Sequence, residues 1–220
     1  MVTLCLSPWI LGLTFLGLPR LTQAQNVTSG TTIYGTGLTA TDWTGGTISS
    51  GATLQLDSGG TISGNATNNG TLSFNRNTIG DPYIYTGIIS GTGAVTKSNT
   101  GTVTLSGANT YTGTTTISAG NLTLQSTNAS SAYVIAGGAT LEINNAGNLN
   151  FATTTYSGTG TFKKTGAGEV VWTDSVATFA LGSGSLIDVQ EGTMVAGNFI
   201  LLCVKFSDSV RSENSLSPVF

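Results

Sequence analysis

The segment LSGANTYTGTTTISAGNLTLQ (residues 105–125) carries no His, no Cys and no charged side chain. Its Thr, Ile and Leu favour strands, and its Gly, Asn and Ser favour turns. It reads as a building unit rather than a reaction centre. Within it, Asn121-Leu122-Thr123-Leu124 alternates polar and apolar side chains, the period of two expected for a strand with one buried face. The same signature stands at Thr71-Leu72-Ser73-Phe74, Thr102-Val103-Thr104-Leu105 and Thr140-Leu141-Glu142-Ile143, each bounded by glycine-rich turns. No window shows the periodicity of an amphipathic helix, so the chain reads as all-β.

The segments also repeat one another. ISSGATLQL (residues 48–56) matches IAGGATLEI (135–143). GTGAVTKSNTGTVTL, starting at Gly91, aligns with GTGTFKKTGAGEVVW, starting at Gly158, which pairs Lys97 with Lys164 and Leu105 with Trp172. ISAGNLTL from Ile117 is echoed by VQEGTMVA from Val189. Repeated strand–turn units of this kind indicate a solenoid. One coil of about 20–25 residues turns only a few apolar side chains inward, too few to offset the entropy of ordering its backbone. Stacking supplies hydrogen-bond partners on both sides and closes the apolar channel. The region from Gln25 accommodates about eight such coils at that length.

Leu72, Phe74, Val103, Leu105, Ile117, Leu122, Leu124, Leu141 and Ile143 are expected to line the channel, with their Thr, Ser and Gln neighbours facing water. Gly51, Gly70, Gly101, Gly120, Gly138 and Gly192 mark corners where positive φ is expected. NATNNG (residues 65–70) and NNAGNLN (144–150) read either as stacked amide ladders or as plain polar loops.

Together these residues resemble the autotransporter-associated β-strand repeat of bacterial secreted proteins. GTGAVTKSNTGTVTLSGANTYTGTTTISAGNLTL (residues 91–124) carries the Gly-x-Gly start, the Lys, the LSGANTYTG core and the ISAGNLTL finish of that unit. GGTISGNATNNGTLSFNR (59–76) is similar to the segment that leads into it. The likeness spans residues 45–198 and weakens in the second copy, where Trp172-Thr173-Asp174 replaces the Leu-Ser-Gly step. The resemblance implies a right-handed parallel β-helix, exported to the cell surface as a passenger domain and carried across the outer membrane by a C-terminal β-barrel.

Three parts follow. Residues 1–24 read as a signal peptide: an apolar stretch over 4–18, then small residues at Thr22 and Ala24 ahead of a cleavage site, though no basic residue precedes Arg20. A buried N-terminal strand is the other reading. Residues 25–198 form the repeat domain. In residues 199–220, NFILLCVKFSDSVRSENSLSPVF from Asn198 onward, glycine disappears and charges enter. A barrel needs at least eight strands of about 9–11 residues, so this tail reads as a truncated or frame-shifted end, or as a cap. The expectation is a secreted or cell-surface chain, periplasmic if no translocator accompanies it.

Of the 220 residues only 8% are charged and 31 are glycine, against about 25% charged in ordinary soluble domains. No apolar run approaches the roughly 20 residues of a membrane-spanning helix, so no transmembrane anchor is expected in this chain. A net charge of −3 provides no attraction for nucleic acid. Without His, the commonest general base and the Ser-His-Asp and Cys-His arrangements are unavailable. Removal of the leader would take Cys5 and leave Cys203 alone, so no internal disulfide is expected. The acidic residues of the repeat domain, Asp42, Asp57, Asp81, Glu142, Glu169, Asp174, Asp188 and Glu191, are scattered and read as solvated outward positions, as does the pair Lys163-Lys164. Tyr83, Tyr85 and Tyr111 read either as an exposed sugar-binding strip or as packing at the turns.

No catalytic, cofactor-binding or metal-binding residue is assigned on this reading, and no cofactor is implied. The function expected is that of a non-catalytic structural or adhesive stalk, an adhesin-type surface protein. Its partners would be surface glycans or other cell-surface proteins, with self-association through an open solenoid end. A carbohydrate-binding or carbohydrate-cleaving β-helix, and a non-functional gene fragment, are the alternatives.

Overall fold

The computed structural model describes residues 25–35, 42–77, 82–151, 154–172, 177–196, 199–202 and 217–218, and every regular element within them is a β-strand. The strands stack as a parallel β-solenoid in which each coil visits three faces in turn. The first face is an eight-stranded ladder of Thr31–Tyr34, Thr53–Asp57, Thr71–Asn75, Ala94–Ser98, Thr115–Ile117, Ala132–Ile135, Thr155–Gly158 and Thr178–Leu181. The second pairs Asp42–Trp43 with Thr61–Ile62, then resumes as six strands: Tyr83–Tyr85, Thr102–Leu105, Asn121–Leu124, Thr140–Asn144, Thr161–Thr165 and Leu186–Val189. The third begins with Gly46–Ile48, Ala66–Asn68 and Ile89–Ser90. It narrows to a single bridge between Asn109 and Asn128. It then continues through Leu149–Asn150, Glu169–Trp172 and Thr193–Ala196.

Register explains why the alternating pattern predicts burial. On the second face Val103, Leu122, Leu141, Phe162 and Ile187 occupy one column, and Leu105, Leu124, Ile143 and Val189 belong to the next inward column. Because side chains alternate between faces with a period of two, one register choice sends the apolar residues of both columns into the channel. All nine residues expected to line the channel are buried, none more than 1% exposed. Their outward neighbours are less uniform. Thr104 and Thr123 point away from the channel yet are buried, and Thr123 contacts Glu142 of the next coil. A parallel sheet packs outward side chains shoulder to shoulder, so an outward position is not always a wet one.

The channel changes character along its length. The inward column of the first face runs Leu54, Leu72, Val95, Thr115, Tyr133, Tyr156, Phe179. Tyr133 stacks on Tyr156 at 5.3 Å and Tyr156 on Phe179 at 4.8 Å, while Phe162 and Trp172 meet Tyr156 edge-on. These are the geometries favoured by the ring quadrupoles. Thr115, at the change from aliphatic to aromatic filling, is buried in a polar network with Tyr111, Asn128 and Ser130. Where the second face breaks, side chains replace the backbone ladder. Ile62 donates its amide proton to the Tyr83 hydroxyl at 2.8 Å, and the Tyr85 hydroxyl donates to the Gly64 carbonyl at 2.8 Å.

Gly51, Gly120, Gly138 and Gly192 adopt positive φ, as expected for corners; Gly70 and Gly101 do not. Gly70 is required instead by close approach. A Cβ there would stand 2.3 Å from the carbonyl oxygens of both Ser49 and Ala52. The Asn-rich pieces do not form amide ladders among themselves. Asn65 and Asn69 accept protons from the amides of Ile88 and Thr92, and buried Asn68 donates to the Ala94 carbonyl, so each secures the backbone of the following coil. In the second piece, Asn145 donates to Glu169 O and Asn148 accepts from Glu169 N.

The signal-peptide expectation, Cys5, Cys203 and most of the tail lie outside the described residues. Phe199–Leu202 runs antiparallel on Thr193–Ala196, and Ser217–Pro218 runs antiparallel on that strand in turn. The start of the tail therefore closes the edge of the third face.

Leu122 is fully buried between Val103 and Leu141. Leu122→Ala should cost about 2–5 kcal/mol, as at other buried leucines. Thr116→Ala, at a half-buried outward position, should stay within about 0.5 kcal/mol. Urea denaturation of both variants checks the facing assignment, and equal shifts of the two midpoints would contradict it.

Candidate functional site

The solenoid carries two kinds of polar feature, one on its outward faces and one buried at the corners. On the second face Thr104, Thr123, Glu142, Lys163 and Asp188 form a single outward column. Glu142 is its hub. One carboxylate oxygen accepts from Thr165 at 2.7 Å, and the other accepts from Asn121 at 3.0 Å and Thr123 at 3.4 Å. Lys163 stands 3.9 Å away. Burial pushes the Glu142 carboxyl up, but the bonds from Thr165 and Asn121, helped by Lys163 and Thr123, outweigh it and hold the group below its ordinary value. A carboxylate kept ionised in this way suits a structural cross-brace. General acid chemistry needs the opposite, a carboxyl whose pKa is raised towards neutrality.

Among the described residues no other carboxylate bonds to the groups that brace Glu142. Asp42 accepts from Thr61 and Ser63. Asp57 accepts from Gln55 and Asn75, and Asp188 accepts from Gln190. Asp81 and Asp174 lie outside the described residues. Among the described residues no three His, Cys, Asp or Glu side chains gather where they could hold a metal ion. Tyr83, Tyr85 and Tyr111 are buried, so they do not form an exposed strip. Among the described residues the large apolar side chains left exposed, Ile33, Ile84, Ile88, Val134 and Leu186, are aliphatic.

Two lysines at the corners are buried, and one of them, Lys164, departs from the facing expected of it. Lys164 is not a solvated edge. It occupies the inward column of the second face, between Ile143 and Val189, and is fully buried. Its ammonium donates to the carbonyls of Thr165 and Gly166 at 2.6 Å each and of Glu191 at 3.2 Å. Lys97 does the same on the first face, between Phe74 and Ile117, donating to Ser98 at 2.9 Å, Asn99 at 2.7 Å and Ala119 at 3.2 Å. The cups share a backbone shape. Asn99 and Gly166 take positive φ in the turn after each lysine, and Gly120 and Gly192 do so in the coil that follows.

Burial, reinforced by the Arg76 charge, lowers the Lys97 amine to about 8; burial lowers that of Lys164 too, partly offset by Glu191. A signal for these positions was present in the sequence. Lys97 follows Val95 by two residues and Lys164 follows Phe162 by two, which are inward positions under strict alternation. Charge alone argued for the opposite facing.

A passenger-associated-transport-repeat family matches residues 95–131, a span that begins within the first lysine strand and ends at the return to the first face. The adhesin BmaC autotransporter of Brucella suis biovar 1 (strain 1330) is 36% identical over 188 residues, covering 70% of this chain. The chain in turn spans 5% of that protein's length. No solved structure matches.

The depressed Glu142 pKa fixes the sign of a pH effect. The folded state binds this proton less readily than the unfolded state, whose carboxyl titrates near 4.5. Its stabilisation is therefore complete above that value and is lost as pH falls through the lower folded value. Glu142→Gln should lower stability at neutral pH and flatten the acid-side loss. Urea midpoints from neutral pH down to about pH 3 test this, and parallel curves for variant and parent would contradict it.

Proposed function

We propose that this chain, which carries an autotransporter passenger repeat, is a non-catalytic segment of an exported surface stalk of structural and adhesive character. The observation that carries this reading is how the polar groups are used. Glu142, Asp42 and Asp57 each serve as braces between or within coils, and the buried aromatic side chains fill the channel. What remains is a long hydroxyl-rich exterior with scattered aliphatic residues, suited to contact over an extended area rather than at one cleft. The likeness to an autotransporter adhesin supports the same reading.

Residues 1–24 would direct export and be removed after Ala24, delivering the repeat domain to the cell surface, or to the periplasm where no translocator accompanies it. Surface glycans or cell-surface proteins are the partners in this proposal, and self-association is a further mode. Among the described residues no strand continues the first face beyond Thr178–Leu181 or the second beyond Leu186–Val189. Uncovered edges pair readily with other chains.

Expression in a bacterium should give an exported chain whose first residue is Gln25, read by N-terminal sequencing. The purified chain should bind immobilised surface glycans or cell-surface proteins without altering them. Turnover of a polysaccharide that Glu142→Gln or Asp42→Asn abolishes would instead make the chain an enzyme.

A further inference from the structure

We propose that Lys97 and Lys164 guard the growing edge of the solenoid, each becoming a clasp once the next coil has docked. The proposal rests on where each lysine finds its acceptors. Two carbonyls come from the two residues directly after it, the last of its strand and the first of the turn: Ser98 and Asn99 for Lys97, Thr165 and Gly166 for Lys164. The third comes from the coil that follows, Ala119 in one case and Glu191 in the other. Until that coil arrives, the ammonium stands at an open sheet edge, pointing into the space an apolar strand must fill.

An inward-pointing charge on an edge is one of the devices by which β proteins discourage wrong pairing. A strand that docks out of place buries the ammonium without its third acceptor, and burying an under-satisfied charge is costly. The correct strand brings a carbonyl turned inward just ahead of a positive-φ glycine, Gly120 or Gly192, and completes the cup. The lysine therefore discriminates between partners through the penalty it imposes on the wrong one.

Stability alone does not account for a lysine here. Phe74, Ile117, Ile143 and Val189 occupy the adjoining positions of the same two columns, so apolar side chains fit this geometry. Replacing a buried charge by an apolar residue of similar volume is often neutral or stabilising. The same cup is also built twice, on different faces, from the aligned residues of two sequence copies.

The test uses the whole chain with Lys97→Met and Lys164→Met, singly and together, and Lys163→Met as a partly exposed control. The expected result is that the Met variants keep or raise the urea midpoint, while their recovery as soluble monomer on refolding falls severalfold with increasing protein concentration. Lys163→Met, which loses only the contact to Glu142, should leave the recovery unchanged. Recovery of the double variant equal to that of the parent would overturn the proposal, as would a loss of recovery that only follows a lowered midpoint. Should the variants fail to fold, pulse labelling of amines and amides in the parent decides the matter. Lys97 should become protected together with the Thr115–Ile117 strand, and Lys164 together with Leu186–Val189. Protection of either lysine ahead of its following strand would rule the clasp out.

Discussion

A parallel strand in this solenoid satisfies its backbone only by bonding to the coil before it and the coil after it, and the rest of the structure follows from that dependence. A buried amide or carbonyl without a partner costs as much as a lost hydrogen bond, so each coil must hold the spacing of its neighbours along three faces. Straight segments do this through register alone, as in the matched series Val103, Leu122, Leu141, Phe162. Corners cannot, because a turning backbone points some carbonyls away from the ladder direction.

The corners are where the sequence places its bonding amides and cations. Asn65, Asn68 and Asn69 tie the backbone of the following coil. Arg76 donates to the Asp57 carbonyl of the preceding coil while lying 4.2 Å over the Tyr83 ring. Lys97 and Lys164 collect the carbonyls of two successive turns. A cation is the natural group for this task, since several carbonyl dipoles can converge on one ammonium with no acceptor left to satisfy. The glycines serve the same corners in two ways. Some supply positive φ, and others, such as Gly70, let successive backbones approach more closely than a Cβ would allow.

Using polar residues in this way constrains function as much as stability. A carboxylate that braces three neighbours, as Glu142 does, is held in one ionisation state and one geometry. An aromatic side chain inside the channel cannot also receive a ligand. The exterior that remains is repetitive and low in charge, and it extends as coils are added. A surface built this way gains contact area with length, in keeping with a passenger whose similar relative is a far longer adhesin.

The alternation of polar and apolar residues determined, by itself, that this chain is all-β and which leucines and isoleucines face the channel, and the repetition of its strand–turn units determined that it is a solenoid. Those properties are local, set by a period of two and by the turn chemistry between strands. The burial of Lys97 and Lys164 was half legible, since alternation pointed inward while charge pointed outward. Only the cup of carbonyls, assembled from residues more than twenty apart, resolves the conflict. Tertiary structure alone decided where the two copies of the repeat lie. The strand after Gly91 runs on the first face, yet the matching strand after Gly158 runs on the second. Coil lengths range from 18 residues, Leu54 to Leu72, up to 25, Phe162 to Ile187, so the interval between copies is not a whole number of turns. The repeat preserves the chemistry of a corner, and each corner of the solenoid can accept it. Which corner receives it depends on loop lengths summed around the coils, a quantity that no single segment of the sequence contains.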